Sequence, residues 1–264
     1  MSAALEVRDL GISFGGIRAV DGVSFAAEEG DVFSIIGPNG AGKTTLFNLV
    51  SGIYKPMTGS VRLFGEDVTG AEPFRLAARG LSRTFQNLQV FFRMTAVENV
   101  MVGAHLSEDR NVLAHLLGLP STRRTNRASR NRAMALLDRV GLAGRADDEA
   151  SALPYGALKR LEIARALAAD PKVLLLDEPA AGCNAVETEE IEELIRQIAE
   201  GGVTVILVEH DMKLVMRLSD RIHVLDYGKT LAEGTAGEVR SNPAVIAAYL
   251  GQHGAEEVTH HAAG

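Results

Sequence analysis

Gly37-Pro38-Asn39-Gly40-Ala41-Gly42-Lys43-Thr44 decides how this chain is read. It fits G-x-x-x-x-G-K-[ST], the pattern of a loop that wraps phosphate. Asp31 to Ile36 ahead of it reads as a strand entering a core, and Thr45 to Val50 behind it as a helix stopped by Gly52. Strand, loop and helix in that order are the context the motif requires. The glycines let backbone N–H groups turn inward on an anion, and the helix N-terminus adds its positive dipole. Lys43 then reaches the β- and γ-phosphates, and the Thr44 hydroxyl serves a Mg²⁺ ion. The alternative, a glycine-rich turn that binds nothing, is disfavoured by the complete motif and its flanks.

With 264 residues the chain can bury a large core, as one big domain or two lobes. Its net charge of −7 argues against a general nucleic-acid binder, which needs a basic surface. The longest apolar runs, Val203 to Val208 and Val173 to Leu176, are too short to cross a bilayer. Met1 to Glu6 lacks the basic and apolar regions of a signal peptide. Cys183 stands alone, which permits no internal disulfide and fits a reducing compartment. A soluble cytoplasmic protein is expected.

Residues 5 to 36 alternate apolar and polar positions among glycines, as half-buried antiparallel strands do, and Gly59 to Val68 suggests another hairpin. Pro73 to Arg79 reads as a short helix and Leu81 to Phe85 as a strand ending at Gln86. From Asn87 to Ala152 the pattern turns helical, and Thr95 to Glu98 has the capping-box spacing. Arg123, Arg124, Arg127, Arg130 and Arg132 form a basic stretch, either a solvated helix face or a surface for an acidic partner or lipid head groups. Leu88, Val90, Phe91 and Phe92 are either a docking cluster or part of a small core. Beyond Tyr155 the chain reads α/β: a helix, a buried strand from Lys172 to Asp177, a helix with its stripe at Ile191, Leu194, Ile195 and Ile198, and a second buried strand from Val203 to Val208. A last helical segment, Thr235 to Leu250, opens on a second capping box at Thr235 to Glu238.

Two carboxylates end the first of those buried strands. Asp177 can hold Mg²⁺ through its water shell, and Glu178 can polarise an attacking water. His210, just past the next strand, can reach a γ-phosphate, and counts only in company with the other groups.

Together these residues resemble the ATP-binding cassette of ABC transporters, from about Leu5 to Gly251. The resemblance implies roles for particular positions. Phe14 matches the aromatic that stacks on adenine. Gly37, Pro38, Asn39, Gly40, Ala41, Gly42, Lys43, Thr44 and Thr45 match Walker A. Gln86 matches the Q-loop glutamine, which contacts Mg²⁺ and senses the membrane subunit. Asp177 and Glu178 match Walker B, Ala180 to Asn184 the D-loop, and His210 the switch histidine. Leu153-Pro154-Tyr155-Gly156-Ala157 lies where the signature motif belongs. The catalytic set is therefore expected to be Glu178, His210, Gln86 and Lys43, with ATP and Mg²⁺ bound and with Thr44, Gln86 and Asp177 serving the metal.

A closer similarity is to the ATP-binding subunits of branched-chain amino acid importers, through Phe14-Gly15-Gly16, Arg83-Thr84-Phe85-Gln86, Asp177 to Gly182, Glu209 to Met216 and Tyr249-Leu250-Gly251. The insert carrying Leu113 to Pro120 and Arg123-Arg124 is also similar to that group. The implied fold is α/β: a P-loop NTPase core with an antiparallel β-subdomain and a helical subdomain. It is expected as one domain over 1–252, with the helical subdomain inserted at 87–152 and a loose tail at 253–264. The implied partners are a second, identical or different cassette, integral membrane permease subunits and, indirectly, a solute-binding protein, with no nucleic acid. The implied place is peripheral, on the cytoplasmic face of the inner membrane. Urea or short amides are alternative cargoes, since related importers share this cassette type. A soluble non-transport cassette ATPase is a further alternative, but such relatives usually carry two cassettes or a long coiled-coil insert.

The general signature is Leu-Ser-Gly-Gly-Gln. Here Pro154 replaces the serine, Tyr155 the first glycine and Ala157 the glutamine. One charge-assisted bond to the partner's nucleotide, ~1.5–3 kcal/mol, is thereby missing. The Gly156 amide and the helix dipole are retained, and proline suits a helix's first position. A working but weaker contact between cassettes is expected.

Overall fold

Residues 3–104 and 120–249 are described by the structure, a computed structural model, with backbone alone for 120–126. Residues 113–119, the side chains of Arg123 and Arg124, and everything from Leu250 onward lie outside the described residues.

β1 (Ala3–Phe14) and β2 (Ile17–Glu28) form a long antiparallel hairpin. β3 (Val32–Ile36), buried throughout, runs through the glycine-rich loop into α1 (Lys43–Val50). β4 (Thr58–Leu63) and β5 (Glu66–Asp67) form the expected second hairpin and complete a sheet in the order β2-β1-β4-β5. α2 (Pro73–Ala77) starts on its proline and leads to β6 (Leu81–Arg83).

α3 (Ala96–Gly103) carries the predicted reciprocal cap. Thr95 Oγ1 accepts from the Glu98 amide, and the Glu98 carboxylate accepts from the Thr95 amide. α4 (Pro120–Arg139) and α5 (Tyr155–Leu167) follow, then β7 (Val173–Asp177). α6 (Ala185–Glu200) buries Ile191, Leu194, Ile195 and Ile198, the stripe read from its spacing. β8 (Thr204–Val208), α7 (Met212–Leu218), β9 (Arg221–Asp226), β10 (Lys229–Gly234), α8 (Ala236–Ser241) and a last helix, α9 (243–249), complete the described chain.

The second sheet has the order β10-β9-β3-β8-β7-β6, parallel except for β10. Its strands alternate between two cores. Val32, Leu174, Leu176, Val205 and Leu207 face α3 to α6. Phe33, Ile35, Val173, Leu175, Ile206 and Val208 face the antiparallel sheet and α1. Burial on both faces is why these strands read as unbroken apolar runs. Each fully buried large side chain contributes ~1.5–3 kcal/mol, so the central strands carry much of the stability.

Two expectations need correction. β6 ends at Arg83, not Phe85: after Thr84 bonds the Leu175 carbonyl at 2.9 Å, its hydroxyl accepts from the Asp177 amide at 3.3 Å, and the chain leaves the sheet. The helical segment from Thr235 is two helices. Pro243 has no N–H to continue the first, and the Asn242 side chain caps the second by accepting from the Ala244 amide at 2.9 Å. Of the two readings left open for the cluster after Gln86, core describes Val90 and partly buried Leu88, whereas Phe91 and Phe92 are exposed.

Candidate active site

Parallel register explains why sequence-distant motifs meet. Ile35 pairs with Val208, Val208 with Asp177, and Leu175 with Arg83. The C-terminal ends of β3, β8, β7 and β6 therefore share one edge, the place where loops of a parallel sheet form a crevice. The phosphate-binding loop, Glu209-His210, Glu178 and Gln86 all follow those ends.

Gly42 caps α1 from the left-handed region, at φ 101°. A Cβ there would fall 2.4 Å from the Ala19 carbonyl oxygen, so only glycine fits. Lys43 folds back over its own loop and donates to the carbonyls of Gly37 at 2.6 Å and Pro38 at 2.9 Å. Burial draws the Lys43 ammonium below the ordinary lysine range, while Glu178 and Asp177 pull the other way. A desolvated ammonium whose hydrogen bonds go, among the described residues, to neutral carbonyls is matched to a phosphate oxygen. A cavity of about 490 Å³ is lined by Asn39, Gly40, Ala41, Gly42, Lys43, Thr44, Thr45, Gln86 and Glu178, together with Ile17, Arg18, Ala19, Tyr227 and Gly228.

Across from the loop, Gln86 Nε2 donates to Glu178 Oε2 at 3.2 Å. Glu178 sits at φ 48°, a strained conformation for a non-glycine residue, with its amide on the Val208 carbonyl at 2.9 Å. His210 Nδ1 lies 3.7 Å from both Glu178 Oε2 and Glu209 Oε2, near but beyond hydrogen-bond distance. Glu209 is buried and accepts from the amides of Ala180, His210 and Asp211 at 3.1, 3.0 and 3.4 Å. Burial nonetheless pushes its carboxyl above the usual range. It ties the loop after β7 to the loop after β8, a part that the sequence reading did not single out.

Asp177 is more encumbered than its motif suggests. Arg83 Nη2 holds Asp177 Oδ2 at 2.8 Å, and Arg83 Nη1 donates to Asn48 Oδ1 and Ser51 Oγ, both at 2.7 Å. The guanidinium also stands 5.4 Å from the Phe47 ring centroid and 5.2 Å from that of Phe85. Burial raises the Asp177 carboxyl, and Arg83 opposes that rise. In the sequence Arg83 stands three residues before Gln86 and Asp177 ends a buried strand, but no local spacing relates the two.

Other expected positions lie apart. Phe14, at the end of β1, is 46% exposed and meets Tyr54 edge-to-face at 5.4 Å, so its ring is not part of the cavity lining. Nor are His210, Pro154, Tyr155 and Gly156. Pro154 is the N-cap of α5, one place before the first helical position where the sequence had put it, with φ −65°, ψ 160° and no side-chain cap bond. Tyr155 is exposed, with the Lys159 ammonium 5.8 Å from its ring centroid. Gly156 is buried against α6, where an added Cβ would lie 2.5 Å from the Glu187 carboxyl carbon. On the basic stretch, exposed Arg130 pairs with Asp147 at 2.7 Å and exposed Arg132 with Asp170 at 3.6 Å, as a solvated face does.

Among the described residues no helix is long and apolar enough to cross a membrane. The family described as ABC transporter matches residues 20–181, and that described as branched-chain amino acid ATP-binding cassette transporter matches residues 229–255. The chain is 48% identical over 249 residues to the high-affinity branched-chain amino acid transport ATP-binding protein BraF of Pseudomonas aeruginosa, covering 94% of this chain and 98% of that protein. It superposes on a solved ATP-binding cassette of an ABC transporter in its ADP conformation with TM-score 0.82 at 31% identity, covering 95% and 99% of the two chains. A dimeric cassette in a post-hydrolysis state with ADP and Pi gives TM-score 0.74 at 25% identity, covering 88% and 98%. With a family match over more than half of its length and a relative nearly half identical along almost all of it, the chain belongs to the ABC transporter ATP-binding family, as a nucleotide-binding, ATP-hydrolysing transporter subunit.

Proposed function

We propose that the chain powers the import of branched-chain amino acids, as one of two cassettes docked on the cytoplasmic side of separate permease subunits. The observation that carries the motor reading is the meeting of Lys43, Gln86 and Glu178 at one cavity. The cargo is supported by the match at residues 229–255 and by the name of the Pseudomonas relative.

In this reading residues 1–252 work as one cassette, with 87–152 as its helical subdomain. ATP phosphates lie on the backbone N–H groups of Asn39 to Thr45, and Phe14 serves the adenine. Glu178 aligns or deprotonates the attacking water, and its hydrogen bond to Gln86 fixes the carboxylate toward the loop. His210 steadies that water against the γ-phosphate. Lys43 and the loop amides absorb the charge that develops on transfer. Thr44, Gln86 and Asp177 would hold Mg²⁺ through the hard oxygen donors it takes, and the ion would supply charge neutralisation for the bound triphosphate.

Pro154, Tyr155 and Gly156 face the nucleotide of a second cassette in head-to-tail closure, an arrangement for which the dimeric relative gives support. Exposed Phe91 and Phe92, a few residues past Gln86, suit a short helix of a permease subunit.

Uptake of labelled leucine by cells carrying the chain and its permease subunits tests this, with Lys43→Ala beside wild type and urea as a parallel solute. Loss of leucine uptake alone is expected. Lost urea uptake with unchanged leucine would replace the cargo, and no change in either would leave the cassette assignment standing but return the cargo to unknown.

A further inference from the structure

The turn between β9 and β10 holds an aromatic side chain that the fold does not use. Asp226 pairs with Lys229, so Tyr227 and Gly228 make a two-residue turn, with φ 44° and 77°. Left-handed φ at both positions suits Asn-Gly, and a bulky aromatic at the first is a strained choice. A second hairpin has the same construction: Phe64 and Gly65 join β4 to β5, with φ 49° and 77°. There the ring has a use, because Phe64 packs on the core under the antiparallel sheet and beside the Lys172 ammonium, 5.3 Å from the ring centroid. Tyr227 is instead 85% exposed, with no ring or cation contact among the described residues.

What the turn does is hold Tyr227 at the phosphate loop. The Gly228 amide donates to the Ala41 carbonyl at 2.9 Å, and the Gly228 carbonyl accepts from the Asp21 amide at 2.8 Å. Tyr227 lines the cavity that Lys43 and Thr44 line, with exposed Ile17 beside it in the lining. Among the described residues, the non-glycines with left-handed φ are Asp9, Phe64, Asp170, Glu178 and Tyr227, and of these only Glu178 and Tyr227 line that cavity. Strain of this kind persists where a site over-determines the backbone, as at catalytic groups and ligand clamps.

We propose that Tyr227 is a nucleotide-binding residue whose ring packs, with Ile17, on the nucleoside part of the ATP seated in the phosphate loop. The loop amides and Lys43 already serve the phosphates, so an uncharged aromatic face is matched to the base or ribose. The proposal rests on the reading of this cavity as the ATP site.

The test is calorimetric titration of the full chain with ATP and, separately, with inorganic tripolyphosphate, in wild type, Tyr227→Asn, Tyr227→Phe and Lys43→Ala. Asparagine favours left-handed backbone, so Tyr227→Asn should keep or raise the melting temperature. The same variant should bind ATP about five-fold or more weakly and tripolyphosphate as wild type does. Tyr227→Phe keeps the ring and should bind both ligands as wild type. Unchanged ATP affinity in Tyr227→Asn overturns the proposal. Equal weakening toward ATP and tripolyphosphate overturns it too, since that outcome puts Tyr227 on loop geometry alone. Lys43→Ala should weaken both ligands; if it weakens neither, the cavity is not the ATP site, a failure separate from either Tyr227 result.

Discussion

Arg83 shows how much of this site depends on one side chain. It is nearly buried, pairs with equally buried Asp177, and spans to Asn48 and Ser51 at the far end of α1. Removing one member of a buried pair costs more than the pair itself contributes, because the other is left charged and dry. Arg83→Met keeps an apolar stem but removes the guanidinium that lies near the Phe47 and Phe85 rings, and it strands Asp177. A loss of ~3–5 kcal/mol in urea unfolding is expected. A loss below ~1 kcal/mol, the range of exposed pairs, would mean that water already reaches Asp177. Sequence alone identified Asp177 by its motif. It could not show the arginine, because the two sit on neighbouring strands far apart in the chain.

At the scale of elements, helix starts set where the functional loops lie. Asn184 Oδ1 accepts from the amides of Val186 and Glu187, both at 3.0 Å, while the Glu187 carboxylate accepts from the Asn184 amide at 3.0 Å. This reciprocal cap begins α6, and the same Glu187 packs on Gly156 at the start of α5. Asn184→Ala is expected to cost ~1 kcal/mol by chemical denaturation. The spacing Asn184 to Glu187 is visible in the sequence, but there Asn184 stands only as the last residue of the D-loop match. The boxes at Thr95 and Thr235 were legible because a threonine stood directly before an apolar run. β9 and β10 escaped because polar side chains such as Arg221, His223, Lys229 and Thr230 interrupt their apolar pattern. His223 is fully buried nonetheless, held by Glu233 at 3.0 Å and Thr230 at 3.2 Å.

At the scale of the whole molecule, the start of α5 lies outside the lining of its own chain's cavity, and the proposed function turns it toward a second cassette. Pro154 occupies the N-cap, where a serine would supply the side-chain acceptor that proline lacks. Glu178→Gln, expected to bind ATP but turn over at least ~10²-fold more slowly, gives a trapped background. In that background Pro154→Ser should strengthen ATP-driven dimerisation, followed by sedimentation with and without nucleotide. Equal dimerisation of the single and double variants would mean that the missing hydroxyl costs the contact nothing.

The sequence by itself determined the phosphate-binding loop, the buried strands and the amphipathic helices, because each is written in local spacing. Glycine positions, a lysine beside a threonine and apolar periodicity act within a few residues, so they survive without the rest of the fold. Only the tertiary structure decided that Arg83 holds Asp177, that Phe14 rests on Tyr54, that Leu88 and Val90 pack into the helical core while Phe91 and Phe92 are exposed, and that Tyr227 lines the phosphate cavity. Those outcomes depend on parallel register and on hairpins meeting loops across the sheet edge. Such contacts join residues that no periodicity relates, and they exist only once the strands are laid side by side.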